Sequence, residues 1–111
     1  MDERARRIGL NEALFRSINE KIDGVNRDFG RITSTIDIVC ECGEIRCAAR
    51  IEIPLSEYEQ LRRDPTHFAV LPGHEIAEVE RTVSRCAGYD VVAKRAGEPA
   101  ELAEATDPRE R

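Results

Sequence analysis

The segment Cys40-Glu41-Cys42-Gly43-Glu44-Ile45-Arg46-Cys47 holds three of the chain's four cysteines within eight residues. Cysteines at i and i+2 close only a strained disulfide, although Cys40 with Cys47 is a feasible pair. A shared metal ion is the simplest reason to crowd thiols this way. Zinc, tetrahedral with Zn–S near ~2.3 Å, is the expected one, and the ferredoxin spacings of iron–sulfur sites are absent. In an extended strand Cys40 and Cys42 point to one face. Gly43 lets the backbone bend there and aim its amides at the thiolates, as in a shortened zinc knuckle. Cys47 lies far enough beyond Gly43 for the chain to loop back with a third sulfur.

The fourth ligand must come from elsewhere, and His74, Cys86 and His67 are the choices, in that order. His74 follows Pro72-Gly73, which suits the centre of a type II turn and gives an imidazole a stiff mount. Cys86 sits beside the turn at Ala87-Gly88, and His67 alternates with Phe68 and Val70 so that it faces outward.

Working outward, Leu10, Leu14, Ile18 and Ile22 recur every four residues, with Phe15 widening the stripe. This predicts an amphipathic helix over Leu10–Asp23, docked by that stripe and ended by Gly24. Asn11, Glu12, Arg16, Asn19 and Glu20 fall on the other side. After a linker, strands are expected at Thr33–Cys42, Arg50–Ile53, His67–Leu71, Glu78–Arg85 and Tyr89–Lys94. A short helix from Ser56 to Arg63 opens on a Ser56/Glu59 capping box and ends at Asp64-Pro65. The fold class is therefore α+β: an N-terminal amphipathic helix and a small, mainly antiparallel sheet with a second short helix, stapled by zinc.

Residues Met1–Arg7 carry five charges in seven positions, and the segment from Arg95 onward has Pro99 and Pro108 and no apolar periodicity. The expected organisation is a disordered arm over 1–8, a single zinc-binding domain over 9–95, and a disordered tail over 96–111. A folding unit of about 85 residues is near the size at which a core alone is marginal, so a structural metal would matter.

The formal net charge of −5 argues against a general nucleic-acid binder, and three thiolates on one Zn²⁺ leave the chain acidic. A charged N-terminus without an apolar run and the lack of any long apolar segment point to a cytoplasmic protein with no membrane partner. In that compartment clustered thiols favour metal or redox chemistry over disulfides. No H-E-x-x-H occurs, and Glu75 after His74 lacks the rest of a zinc deaminase signature. Glu41, Glu44 and Glu75 are close enough in sequence to suggest a general base. However, three thiolates donate heavily to zinc and weaken its Lewis acidity.

Several segments occur in a familiar order: Asn11-Glu12-Ala13-Leu14-Phe15-Arg16, Val39-Cys40-Glu41-Cys42-Gly43, Cys47, Glu57-Tyr58-Glu59, Asp64-Pro65-Thr66, Pro72-Gly73-His74-Glu75 and Tyr89-Asp90-Val91-Val92. Over about residues 10–94 the chain resembles a family of short bacterial proteins of uncharacterised function. The resemblance implies that Cys40, Cys42, Cys47 and His74 form one site, and it implies no activity. His67 and Cys86 fall outside the shared pattern.

The functional expectation is a small cytosolic protein with a structural zinc site. It would serve as a protein-interaction or regulatory module whose partner is another protein or a second copy of itself. No small-molecule substrate is indicated. The helix stripe around Leu14, Phe15 and Ile18 is the expected contact surface. The alternatives are a thiol-based redox or metal sensor, with Cys86 as a resolving thiol, and a zinc-dependent enzyme, which would need an open coordination position.

Overall fold

Ile36 and Ile38 pair with Ile53 and Ile51 across two antiparallel strands, β1 (Thr35–Val39) and β2 (Arg50–Pro54). The alternation is clean: these four side chains are buried, while Asp37 and Glu52 face solvent on the other side. The computed structural model describes residues 2–29 and 35–109. Thr33 and Ser34 of the expected first strand, and part of the expected linker before it, lie outside the described residues.

The remaining strands, β3 (His67–Val70), β4 (Glu80–Cys86) and β5 (Tyr89–Lys94), form a separate antiparallel sheet in the order β3-β5-β4. The strands thus make two small sheets rather than one. β5 is central and largely buried, and a bulge between Thr82 and Ser84 shifts its register with β4. The short helix α2 (Leu55–Leu61) follows β2 directly and buries Tyr58 and Leu61 in the core that also holds Phe68, Val70 and Val92. Pro54 stands at its N-cap with no side-chain hydrogen bond, so the Ser56/Glu59 capping box does not form. The helix starts two residues too early for Ser56 to be its cap.

The first helix, α1 (Glu3–Phe29), is longer than the periodicity suggests at both ends. Asp2 Oδ1 accepts from the Ala5 N–H at 2.7 Å, an N-cap bond that starts the helix in the expected disordered arm. Gly24 does not stop it; Asp23 and Arg27 pair at 3.1 Å across that turn. One glycine inside a helix costs about 1 kcal/mol, which tertiary contacts offset.

The larger correction is the phase of α1. Leu10, Leu14, Ile18 and Val25 are exposed, whereas Glu12, Arg16, Asn19 and Asp23 are buried alongside Ile8 and Phe15. Each buried polar residue meets a specific partner. Lys94 Nζ donates to Glu12 Oε1 at 2.5 Å, and Arg16 donates to the carbonyls of Pro65 at 2.7 Å and Ala103 at 2.9 Å while lying over the Phe68 ring. Unpaired, such groups would be far costlier to bury than leucine. Paired, they dock a helix whose apolar stripe is left outside.

The expected disordered tail likewise contains a helix, α3 (Glu98–Ala105), entered through Gly97 at φ +97°. Leu102 lies against Gly9, where a Cβ would come within 2.6 Å of Leu102 Cδ2. Beyond α3, Arg109 donates to Glu20, Asp23 and Glu59. These ties run through ions, carbonyls and one close glycine, so no apolar periodicity announces them.

Candidate metal centre

The thiol-bearing segment leaves β1 at Val39 and continues extended to Cys42. The Cys40 N–H donates to the Ala49 carbonyl at 2.9 Å, and the Glu41 N–H to the Ala69 carbonyl at 2.8 Å. The segment is therefore held between β2 on one side and β3 on the other. The Cys47 N–H donates to the Glu44 carbonyl at 3.0 Å, closing the turn that brings the third sulfur back. His74 enters from the turn after β3, where its N–H donates to the Leu71 carbonyl at 3.0 Å and Gly73 takes φ +87°. That is the positive φ a glycine accepts at little cost.

These elements bring Cys40, Cys42, Cys47 and His74 together, with one ligand atom from each lying within 4.8 Å of all the others. His74 Nδ1 is 3.7 Å from Cys40 Sγ and 3.8 Å from Cys47 Sγ. A tetrahedral ion with bonds of ~2.0–2.3 Å sets its ligand atoms roughly 3.5–3.8 Å apart, so the set can close around one ion with small adjustments. Cys40 and Cys42 are buried, while Cys47 and His74 are half-buried at the solvent side.

Backbone amides support the sulfurs. The Leu71 N–H donates to Cys40 Sγ at 3.3 Å, and the Cys42 amide also serves Cys40. The Glu44 amide serves Cys42. Without a metal, a hydrogen bond from the Cys42 thiol holds the Cys40 thiol below its usual range, against the effect of burial. Giving that bond, together with burial, pushes Cys42 well above the usual thiol range. Amide donors and a bound cation both favour thiolates, so the donor set fits a thiophilic metal such as zinc.

Gly43 has a different reason from the expected bend. A Cβ there would lie 2.4 Å from Ile8 Cγ2 and 3.0 Å from Ile76 Cδ1. The Gly43 carbonyl accepts from Asn11 Nδ2 at 2.9 Å. The metal loop thus rests on α1 at the one position without a side chain.

Of the three carboxylates near the thiols in sequence, Glu41 is fully engaged elsewhere. Arg62 grips both its oxygens at 2.9 and 2.7 Å, and Asn19 Nδ2 and the Ala69 N–H also donate to it. Arg62 lies over the Tyr58 ring and near that of Phe68. Alternation along the strand sends the sulfurs of Cys40 and Cys42 one way and the Glu41 carboxylate the other. Sequence reasoning missed this role; its one available signal was that alternation. Glu44 Oε1 accepts from the Arg46 N–H at 3.1 Å, and Glu75 has Oε2 buried without a hydrogen-bond partner.

His67 and Cys86 do not join the cluster. His67 Nε2 is 3.3 Å from Asp64 Oδ2. Both His67 and Cys86 line a groove between α2 and the β4–β5 hairpin, with Tyr89 and Glu57 in its wall. No family model matches the chain, and the searches of curated proteins and of solved structures found no match to it.

Proposed function

We propose that the chain is a small cytosolic module folded around a structural zinc ion and acting through contact with other proteins. The observation that carries this reading is the closed Cys40–Cys42–Cys47–His74 set, four protein ligands within 4.8 Å of one another. Structural zinc sites take four protein ligands, whereas catalytic ones keep a position for water or substrate. The ligands also come from two places: three follow β1 of the two-stranded sheet, and His74 follows β3 of the three-stranded sheet. A metal here would fasten one sheet to the other. No described helix is long and apolar enough to cross a membrane.

The test is metal analysis with thermal unfolding. One zinc per chain is expected, lost in His74→Ala and Cys47→Ser and kept in Cys86→Ser. Chelation should lower the unfolding midpoint sharply, since zinc contributes about 10–16 kcal/mol of apparent binding energy in small domains. An unchanged midpoint in metal-free protein would remove the structural role.

The half-buried position of Cys47 favours a second reading, a thiol redox sensor. Peroxide would take two electrons from the Cys40 and Cys47 thiolates, forming their disulfide and, with two protons, two waters, and the metal would leave. Full retention of metal under mild peroxide would eliminate it.

A further inference from the structure

We propose that the buried Glu41–Arg62 pair positions the metal ligands and selects an ion of zinc's size over a larger thiophilic one; this rests on the metal-site reading above and names what tunes that site. The ligands arrive on two strands. Cys40 and Cys42 flank Glu41 on the extension of β1, and His74 follows β3 through the turn at Leu71. The pair ties one strand to the other. The Glu41 N–H donates to the Ala69 carbonyl at 2.8 Å, and the Ala69 N–H donates back to Glu41 Oε1 at 2.9 Å. Arg62 Nη2 donates to Glu41 Oε1 at 2.7 Å and to the His67 carbonyl at 3.2 Å, while Nη1 holds Glu41 Oε2 at 2.9 Å. Both ends of β3 nearest the pair are thus bonded to the residue between the two thiols.

Neither partner has room to shift. Glu41 is 0% and Arg62 2% exposed, and the Arg62 guanidinium lies 5.1 and 5.8 Å from the Tyr58 and Phe68 ring centres. A two-pronged arginine–carboxylate pair fixes orientation as well as distance. The result is read at the ligand atoms. His74 Nδ1 stands 3.7 Å from Cys40 Sγ, close to the ligand separation of tetrahedral zinc. The Leu71 N–H on Cys40 Sγ closes the same link from the β3 side. A larger ion such as Cd²⁺ needs its ligands further apart and must move β3 away from the thiol strand. Soft thiolates alone favour that ion, and a fixed geometry opposes it.

The test is the affinity of the full chain for Zn²⁺ and for Cd²⁺, each read by competition with a chromogenic chelator. A Cys86→Ser background removes the thiol outside the site. Glu41→Gln keeps the side-chain shape, and Arg62→Lys keeps the charge but loses the two-pronged grip. Each should weaken zinc binding by about 10–100-fold, as removal of an outer support of a metal site does. Cadmium should weaken about tenfold less, so the zinc-to-cadmium ratio falls. Asn19→Ala removes one bond to Glu41 and leaves the ion pair in place. It should move the ratio the same way by a smaller factor, and it carries the test if the first two variants do not fold. A support that serves stability alone would weaken both metals equally, and that result overturns the proposal, as does unchanged zinc affinity. Failure of the parent chain to bind either metal would refute the metal-site reading. Tight binding of both with a ratio that no variant moves would refute this inference alone.

Discussion

Asn19 supplies Val39 with the two hydrogen bonds that a neighbouring strand would supply: its Nδ2 donates to the Val39 carbonyl at 2.8 Å, and its Oδ1 accepts from the Val39 N–H at 2.8 Å. A helix side chain thereby acts as one rung of a sheet and covers the outer edge of β1. The same Nδ2 reaches Glu41 at 2.7 Å, so one amide joins α1, β1 and the support of the metal loop.

Asn19→Ala leaves both Val39 groups and one Glu41 acceptor without this partner. The expected loss is about 2–4 kcal/mol, from roughly 1–3 kcal/mol per stranded buried group with partial relief by water. Urea unfolding of zinc-loaded protein measures it. A loss below about 0.5 kcal/mol would mean that water takes over the rung at no cost.

Lys94 bridges two buried carboxylates, Glu12 at 2.5 Å and Glu80 at 3.3 Å. Burial and the adjacent Glu80 carboxyl push Glu12 well above the usual carboxylate range, against the pull of Lys94. Lys94→Met should cost about 3–5 kcal/mol by leaving acids buried without a counter-charge. Adding Glu12→Gln should recover a large part of it, so the two changes should be far from additive. Additive losses would show that the three groups do not act as a unit.

Burial, reinforced by the Glu59 carboxyl, raises Asp23 to about 7, and Arg27 and Arg109 only partly oppose this. In the unfolded chain an aspartate titrates near ~3.9. Between roughly pH 4 and 7 the folded form holds a proton that the unfolded form has lost, so stability falls as pH rises through that window. Glu12, also raised, acts in the same sense. Glu20 has the opposite shift: burial pushes it up, but the bonds from Arg109 and Tyr58 outweigh that and hold it low. Its contribution is lost only at more acidic pH. Melting of wild type and Asp23→Asn, compared at matched pH from 5 to 8, isolates the Asp23 effect. Wild type should lose ground to the variant as pH rises, and a gain would reverse the assignment.

Gly43→Ala drives a methyl into Ile8 and Ile76. Overpacking of this kind costs about 1–3 kcal/mol. Here it should also weaken metal retention, because the loop carrying Cys42 and Cys47 must lift from α1. Pairing it with Ile8→Ala should restore part of both losses, as read by unfolding and by competition with a chromogenic chelator. No rescue would place the strain elsewhere.

The strands were legible because their side chains alternate: Ile36, Ile38, Ile51 and Ile53 are one buried face, and β5 reads as an apolar run. The turn at Gly73 was legible because few residues accept its φ. The gathering of Cys40, Cys42, Cys47 and His74 could be anticipated because few arrangements suit three close thiols. What sequence hid was the phase of α1. A stripe of Leu and Ile every four residues ordinarily marks the buried side, and only long-range partners such as Lys94 and Pro65 reveal that Glu12 and Arg16 occupy it instead. The same holds for Glu41, whose role depends on Arg62 lying 21 residues away. Local pattern reports apolar burial well, but it cannot report which charges will be neutralised by distant ones.

The contacts of α1 also have a temporal consequence. Lys94 is made 82 residues after Glu12, Ala103 is made 87 after Arg16, and Arg109 is made 89 after Glu20. At about 5–20 residues per second, a ribosome delivers Lys94 some ~4–16 s after Glu12. Throughout that interval the nascent helix carries its buried-side ions uncompensated and its leucines bare. The first helix made is therefore among the last elements that can settle, and the domain's assembly is paced by its far end.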